Sequence, residues 1–242
     1  MDADAADTAR GDYDRWHAQF ELDDGADSPW HELVKAHLDP GRDLDGRRVL
    51  EIGCGRGGFS AWIARSSSPA EQVAMDFSEV AVHKGRAAAA AAGLSRVIWE
   101  FGDIQNIPRA DASFDTVISC ETVEHVPDPA RAVRELARVL RPGGRLFLTT
   151  PSYLNTMGLY RIYLRMRGRR FQEVGQPINQ VTSLPRTLRW VSRAGLRVLA
   201  VDAVGHYLPF PGRPAIRFAR LDAARMLTRW VGHHSFVAAS KP

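Results

Sequence analysis

Residues 50–59 read Leu-Glu-Ile-Gly-Cys-Gly-Arg-Gly-Gly-Phe, and this stretch allows two chemical interpretations. Gly53, Gly55 and Gly58 spell G-x-G-x-x-G, the pattern of loops that bind the anionic pyrophosphate of a dinucleotide at the N-terminus of a helix. Glu51, however, lies two residues before this loop in an otherwise apolar strand, and its carboxylate would oppose such an anion. A carboxylate at this position is better suited to a cation or to polar donors, with the glycines letting the backbone approach the ligand.

Two further acids follow the next two predicted strands. Asp76 ends the second strand and can accept hydrogen bonds from both ribose hydroxyls, which supports a nucleoside ligand without separating the two interpretations. Asp103 follows the third strand and can accept the exocyclic amine of adenine, with Phe77 or Ile104 against the ring. Together with Glu51, these acids favour S-adenosylmethionine, whose sulfonium and ammonium groups are positively charged.

The elements that must position these residues alternate regularly between strand and helix. Such alternation predicts a parallel sheet with helices on both faces. The predicted strands span residues 48–52, 72–76, 97–101, 114–120, 145–150, 196–204 and 235–239, and the predicted helices span 29–38, 59–64, 78–92, 128–140 and 185–194. The basic segment between residues 204 and 235 is predicted to be irregular.

Two segments depart from this alternation. Residues 1–40 are predicted to form an N-terminal helical cap. Residues 151–190 are too long for a simple connection, with a mixed helical segment around 154–166, and we interpret them as a substrate-lid insertion over the active-site edge. We expect residues 1–242 to form a single domain that includes both.

The motifs of residues 47–151 resemble those of class I S-adenosylmethionine-dependent methyltransferases, in particular the ubiquinone-type O-methyltransferases and the methyltransferase type 11 group. The matching stretches, in the family's order, are 49–57, 75–78, 102–103, 113–117, 124–128 and 140–144.

The resemblance implies a Rossmann-like, doubly wound α/β fold. Its seven-stranded sheet would have an antiparallel last strand, and a helical lid would be inserted after strand 5. The implied cofactor contacts are Glu51, Gly53, Gly55, Gly57, Asp76, Phe77, Asp103, Ile104 and Cys120.

The segment Cys120-Glu-Thr-Val-Glu-His-Val126 follows the fourth strand, where the resemblance places the transferred methyl group. Methyl transfer is an in-line displacement that needs alignment and a deprotonated acceptor, so one base in a shaped pocket is sufficient. We predict that His125 is this base and that Glu124 is a second catalytic residue.

The same Glu-x-x-Glu-His string is similar to one through which ubiquinone-type O-methyltransferases and a class of RNA-end methyltransferases hold a divalent metal. Glu121, Glu124 and His125 are therefore candidate ligands for Mg²⁺. His206 is a possible further ligand that the sequence does not place. The alternative is that the histidine packs or orients the substrate without a metal.

Aromatic residues raise two questions that the sequence leaves open. His17 can belong to a lid helix over the cofactor, anchored by Trp16 or Phe20, or to a helix packed on the surface. Tyr153, Tyr160 and Tyr163 can line an aromatic substrate pocket or form the core of the insertion, and the core is the favoured interpretation.

The composition of the chain indicates its cellular compartment. Only two cysteines occur, Cys54 and Cys120, so no disulfide framework is expected and a reducing compartment is indicated. The acidic N-terminal stretch has no apolar core of a signal peptide, and no apolar run reaches the length of a membrane span. These features predict a cytoplasmic protein and leave its oligomeric state open.

The net charge of +4 is unevenly distributed, because five arginines fall within residues 161–170. Most such runs are solvated surface, but arginines interleaved with aromatics can also follow nucleic-acid phosphates. A nucleic-acid methyltransferase is therefore one alternative function. A non-methylating member of the fold is a second, and a nicotinamide oxidoreductase is a third that Glu51 disfavours.

The leading prediction is methyl transfer to a hydroxyl oxygen of a small-molecule acceptor. The insertion at 151–190 would close a pocket, and no Asn/Asp-Pro-Pro-Tyr motif of amino-methylating enzymes follows the fourth strand. The alanine-rich and arginine-rich composition is typical of GC-rich bacterial genomes, which suggests natural-product tailoring by association only.

Overall fold

The computed structural model describes residues 3–19, 25–169, 175–210, 213–224 and 228–242. The strands of these residues are β1 (Arg48–Ile52), β2 (Glu71–Asp76), β3 (Val97–Phe101), β4 (Phe114–Cys120), β5 (Leu140–Pro151), β6 (Arg197–Val204), β7 (Tyr207–Phe210), β8 (Arg213–Arg217) and β9 (His234–Ser240). The helices are α1 (Ala3–Gln19), α2 (Pro29–His37), α3 (Pro40–Asp43), α4 (Gly58–Ser66), α5 (Glu79–Ala91), α6 (Pro129–Val139), α7 (Thr156–Met166), α8 (Leu184–Arg193) and α9 (Ala219–Ala223).

Seven strands form one sheet in the order β3-β2-β1-β4-β5-β9-β6. The pairs among β1 to β5 are parallel, and β9 is antiparallel to both of its neighbours. The predicted α/β fold, with seven strands and an antiparallel last strand, is therefore confirmed. The strand order reverses between β1 and β4, which opens a crevice at their carboxyl ends.

Both faces of the sheet are covered, as the alternation of elements predicts. The packing residues on one face include Val133 and Leu136 of α6 and Trp190 and Val191 of α8, with Leu146 and Val237 from the sheet. Those on the other face include Leu33 and Val34 of α2 and Phe59 and Ile63 of α4, with Phe147 and Phe236 from the sheet. Burial on both faces fixes the strand ends that form the crevice.

Local sequence signals set the starts of the helices that follow the strands. The side chain of Asp128 accepts a hydrogen bond from the backbone amide of Arg131, and Pro129 occupies the first turn of α6. Ser78 caps α5 in the same way through the amide of Ala81. Gly93, with a positive φ of 72°, follows Ala92, the C-cap of α5.

Two elements differ from the prediction. β5 begins at Leu140 rather than at 145, because Leu140 already pairs with Phe114 of β4, and the register shifts before pairing resumes at Arg145. The basic segment after β6 was predicted to be irregular, yet it contains the antiparallel pair β7 and β8, on which α7 packs.

The helices of the described residues include no candidate membrane span. No described helix combines the length and the apolar character that crossing a membrane requires.

Candidate active site

A pocket of about 250 Å³ lies at the carboxyl ends of β1, β2, β3 and β4. Parallel α/β sheets bind ligands at this edge, where the strand order reverses. The strand ends supply its floor, while α1, α2 and residues 176–178 supply further walls. The pocket therefore joins residues from three distant parts of the chain.

The charge of the lining decides between the two ligands that the glycine loop allows. Among the described residues, no lysine or arginine lines the pocket. An anionic pyrophosphate would meet only like charge here, whereas a sulfonium or ammonium group would be attracted. The carboxylate side chains in the lining are Glu51, Asp76, Asp103, Glu121 and Glu124.

Asp76 joins the glycine loop to the second strand. Its two carboxylate oxygens accept hydrogen bonds from Gly55 N at 2.8 Å and from Ser78 N at 2.9 Å. Carboxylate oxygens each have more than one acceptor site, so both can still receive a hydroxyl from a ligand. Asp76 thus fixes the loop and can bind a ribose at the same time.

Gly53 provides close approach between the loop and the segment after β4. Its φ is 76°, and a Cβ there would lie 2.0 Å from the Thr122 hydroxyl oxygen. A side chain at this position would collide with Thr122 and push the loop away from the segment that follows β4.

Gly57 lies outside the pocket lining, unlike the other predicted cofactor contacts. Its φ is 80°, and a Cβ would lie 2.0 Å from the ring of Trp99. The structure therefore places Gly57 at the start of α4, where it packs against Trp99 rather than facing the cavity.

Glu51 is held in place by a neighbouring helix. Its side chain is only 3% exposed, and Ser60 Oγ of α4 donates a hydrogen bond to its Oε2. Gln72 Nε2 donates in turn to the carbonyl oxygen of Ser60 at 2.8 Å. The carboxylate is thereby oriented before any ligand arrives.

The third strand end supplies an apolar slot beside an acid. Asp103 Oδ1 accepts a hydrogen bond from Gln105 N at 2.8 Å, and Ile104 is buried beside it. The Phe77 ring lies 6.3 Å from that of Tyr13, and both line the pocket. An adenine ring fits the chemistry of these groups, as the sequence predicts.

His125 is fixed by the segment after β5. Its Nδ1 atom lies 2.8 Å from the carbonyl oxygen of Ile178, which can only accept, so Nδ1 carries the proton. In the neutral imidazole the lone pair is then on Nε2, 3.6 Å from Glu124 Oε1. The pair has the arrangement of a base and a carboxylate that stabilises its protonated form.

The three candidate metal ligands do not come together as one set. Glu121 pairs with His234, at 3.3 Å from Oε2 to Nδ1, rather than with Glu124 and His125. His206 instead contacts Asp222 at 2.8 Å. Within the described ranges, no group of three His, Cys, Asp or Glu residues is arranged to hold a metal ion, so the Mg²⁺ prediction finds no structural support.

The N-terminal helix α1 forms a wall of the pocket through Tyr13, Trp16 and His17. The Tyr13 hydroxyl donates to the carbonyl oxygen of His125 at 3.0 Å, and burial raises its pKa above the usual value, so it stays a donor. Of the two alternatives for His17, this position agrees with a helix beside the pocket, and Phe20 lies outside the described residues.

The helix α2 contributes Trp30 and His31, which the sequence analysis did not select. His31 stacks on Phe59 with ring centroids 4.9 Å apart, and burial lowers its pKa to about 4. The Trp-His pair at 30–31 repeats the Trp-His pair at 16–17, and this repetition was the available signal.

The predicted insertion contributes Gln176 and Ile178 to the pocket, but none of its three tyrosines. Tyr153 is buried, and Arg161 lies over its ring at 4.6 Å, while Tyr163 is 42% exposed. Of the three tyrosines, only Tyr153 is buried as the favoured core interpretation expects, and none of them lines this pocket.

The sheet order, the crevice, and a glycine loop beside acids at three successive strand ends define the class I fold that binds S-adenosylmethionine. Comparison with known proteins agrees with this class. Residues 50–148 match the family model described as a methyltransferase domain. Residues 50–148 are thus the part of the chain that matches a methyltransferase domain, and the fold around them is that of the class I S-adenosylmethionine-dependent methyltransferases.

Individual relatives add detail. The chain is 34% identical over 167 residues to 27-O-demethylrifamycin SV methyltransferase of Amycolatopsis mediterranei (strain S699), which covers 67% of this chain and 58% of the relative. It is 37% identical over 139 residues to ubiquinone biosynthesis O-methyltransferase of Hahella chejuensis (strain KCTC 2396), covering 56% of this chain and 55% of the relative. The chain thus spans little more than half the length of these relatives.

Solved structures share the fold. A S-adenosylmethionine dependent methyltransferase from Mesorhizobium loti superposes with a TM-score of 0.63 at 20% identity, over 90% of this chain and 100% of that one.

Proposed function

We propose that the protein transfers the methyl group of S-adenosylmethionine to a hydroxyl oxygen of a small-molecule acceptor. The acidic lining of the pocket, without lysine or arginine among the described residues, is the observation that carries the proposal. A positively charged methyl donor is attracted to such a lining, while nucleotide phosphates are repelled.

The chain's own residues supply the binding groups. We assign the ribose to Asp76, the adenine to Asp103 with Phe77 and Ile104, and the amino-acid end to Glu51. The remaining proposed contacts are Gly53, Gly55 and Cys120. When bound, the cofactor supplies a methyl group activated by a positively charged sulfur.

His125 acts on the acceptor. Because Ile178 O engages Nδ1, the acceptor's hydroxyl proton would pass to Nε2 as the oxygen bonds to the methyl carbon. The bond between that carbon and the donor's sulfonium sulfur would break in the same displacement, leaving a neutral thioether. Glu124, 3.6 Å away and buried, stabilises the imidazolium that results. General base catalysis of this kind contributes roughly 10²- to 10⁴-fold to a rate.

The residues that line the pocket also support a proposed domain arrangement. Residues 1–242 are one domain, in which residues 1–40 cap the cofactor side and residues 151–190 form the substrate lid. Tyr13 and His31 of the cap line the pocket, as does Ile178 of the lid.

The acceptor is proposed to be a natural product or quinone-like metabolite. The names of two relatives, a rifamycin methyltransferase and a ubiquinone biosynthesis O-methyltransferase, support small hydroxylated acceptors. The exposed arginines in and directly after α7, Arg165, Arg167 and Arg169, do not line the pocket, so a nucleic-acid substrate has less support.

Calorimetry tests the cofactor, and mass spectrometry tests the reaction. The protein should bind S-adenosylhomocysteine and should not bind NAD⁺ under the same conditions. A panel of hydroxylated metabolites incubated with S-adenosylmethionine should then yield a product heavier by one methyl group. Binding of NAD⁺ without binding of S-adenosylhomocysteine would refute the proposal, as would a product formed without methyl gain.

A further inference from the structure

Glu121 has an unusual backbone conformation at the edge of the pocket. Its φ is 46°, a region that residues other than glycine seldom adopt. Glu121 N donates to Thr149 Oγ1 at 3.1 Å, which helps to hold the peptide there. Such conformations are unfavourable and persist where the surrounding structure fixes them, often at functional sites.

The two carboxylate oxygens of Glu121 have different surroundings. Oε2 lies 3.3 Å from His234 Nδ1, which must carry a proton because a carboxylate only accepts. Oε1 is buried and has no hydrogen-bond partner within the part of the chain that the structure describes. A buried acceptor without a partner is unfavourable, so a donor from a ligand would satisfy it.

Two aromatic side chains of α2 line the same pocket as this carboxylate. Trp30 lines the same pocket, and its ring centroid is 5.1 Å from that of His234. The next residue, His31, also lines the pocket and is 3% exposed, and its Nδ1 has no partner among the described residues. A flat ring that carries a hydroxyl matches this combination of aromatic wall and buried acceptor.

We propose that Glu121 Oε1 accepts the hydrogen bond of a hydroxyl on a phenolic methyl acceptor, and that His234 is the positioning residue that holds the other oxygen. This inference rests on the proposed O-methyl transfer. Carboxylate acceptors would meet negative charge at Glu51, Glu121 and Glu124, and ethers would offer Oε1 no donor.

Fluorine NMR tests the subsite with two probes of similar shape, para-fluorophenol and para-fluoroanisole. Each is titrated into the full chain saturated with S-adenosylhomocysteine. The wild-type protein should bind the phenol about tenfold more tightly than the ether, as expected for one charge-assisted hydrogen bond.

The variant Glu121→Gln should remove this preference. His234 Nδ1–H would donate to the amide oxygen, which turns the amide NH₂ toward the pocket and replaces an acceptor with a donor. The two probes should then bind with similar affinity. Glu79→Gln is the matched control, because Glu79 lies at the start of α5 with a side chain 58% exposed, and it should keep the preference.

His234→Phe keeps an aromatic ring beside Trp30 and removes the proton donor to Glu121. The preference for the phenol should fall several-fold while affinity for S-adenosylhomocysteine stays unchanged, which shows that the variant folds. A preference that persists in Glu121→Gln overturns the inference, and so does equal or absent binding of the two probes in the wild type.

A tenfold loss of S-adenosylhomocysteine affinity in Glu121→Gln would make Glu121 a cofactor contact and would also overturn the inference, leaving the proposed methyl transfer intact. Failure of the wild-type protein to bind S-adenosylhomocysteine would instead refute the proposed function together with the inference.

Discussion

The carboxylate of Asp14 in α1 accepts a hydrogen bond from Ser78 Oγ at 2.6 Å and another from Val80 N at 3.2 Å. The N-terminal helix is thereby tied to the start of α5, directly after the strand end that carries Asp76. At its other end, the carbonyl oxygen of His17 accepts from Arg56 Nη2 at 3.0 Å. These contacts hold the aromatic wall of α1 against the pocket.

Weakening the hydrogen bonds between Asp14 and the start of α5 should weaken cofactor binding. In Asp14→Asn the carboxylate loses its charge at the N-terminus of α5, and we expect S-adenosylhomocysteine affinity to fall about fivefold, a loss of about 1 kcal/mol. Calorimetry measures the change. Asp12→Asn is the control, because Asp12 lies on the same helix and pairs with Arg15 at the surface. Equal affinity in both variants would show that α1 does not close the site.

Asp76 should have a larger effect on the cofactor. Asp76→Ala removes the acceptor of two proposed ribose hydroxyls and should weaken S-adenosylhomocysteine binding by about 1–3 kcal/mol. Because Gly55 N also loses its partner, Asp76→Asn is needed as a milder variant that keeps one oxygen acceptor. Unchanged affinity in both variants would contradict the assignment of this strand end.

His125 should affect turnover rather than cofactor binding. His125→Gln removes the proposed base, and with an accepted hydroxyl substrate kcat should fall roughly 10²-fold or more. The affinity for S-adenosylhomocysteine should stay within about twofold. His83→Gln in α5 is the control, because His83 is exposed and lies outside the pocket lining. A kcat that remains at the wild-type level would rule out His125 as the base.

His31 should make the stability of the fold depend on pH. Burial lowers its pKa from 6.5 to about 4, so below pH 6.5 the unfolded chain binds a proton that the folded chain excludes. Above pH 6.5 His31 is neutral in both states, and burying it carries no protonation cost. As the pH falls from 6.5 to 4, the free energy of unfolding decreases. The loss is about 3 kcal/mol by linkage.

Urea unfolding of the wild type and His31→Phe between pH 7 and pH 4 measures this contribution. Phenylalanine keeps the stack on Phe59 but cannot titrate, so the variant should lose less stability on acidification than the wild type. Parallel curves for the two proteins would contradict a buried neutral His31.

Much of the fold follows from local sequence. β1 and β4 have the predicted bounds, and the caps Ser78 and Asp128 lie where their residue types indicate. Strand periodicity and capping are short-range properties, and the carboxyl ends of parallel strands always share one edge of the sheet. For this reason the predicted acids at three successive strand ends line one pocket.

The parts of the fold and the pocket that the sequence did not predict depend on contacts between distant residues. The Trp-His pairs of α1 and α2 enter the pocket only because these helices pack across the carboxyl edge of the sheet, and the β7–β8 pair was read as irregular. Nothing near Glu121 in sequence indicates His234, 113 residues away, as the partner of its carboxylate. Such pairings arise from tertiary packing, which brings together side chains whose spacing along the chain has no period.

The sequence by itself determined the order of the elements and the negative charge at the strand ends, because both are written in local patterns. Only the tertiary structure decided which side chains complete the pocket. It placed Gly57 against Trp99, separated Glu121 from the predicted metal set, and aligned His125 through Ile178. These outcomes depend on the packing geometry of the cap and the insertion against the sheet.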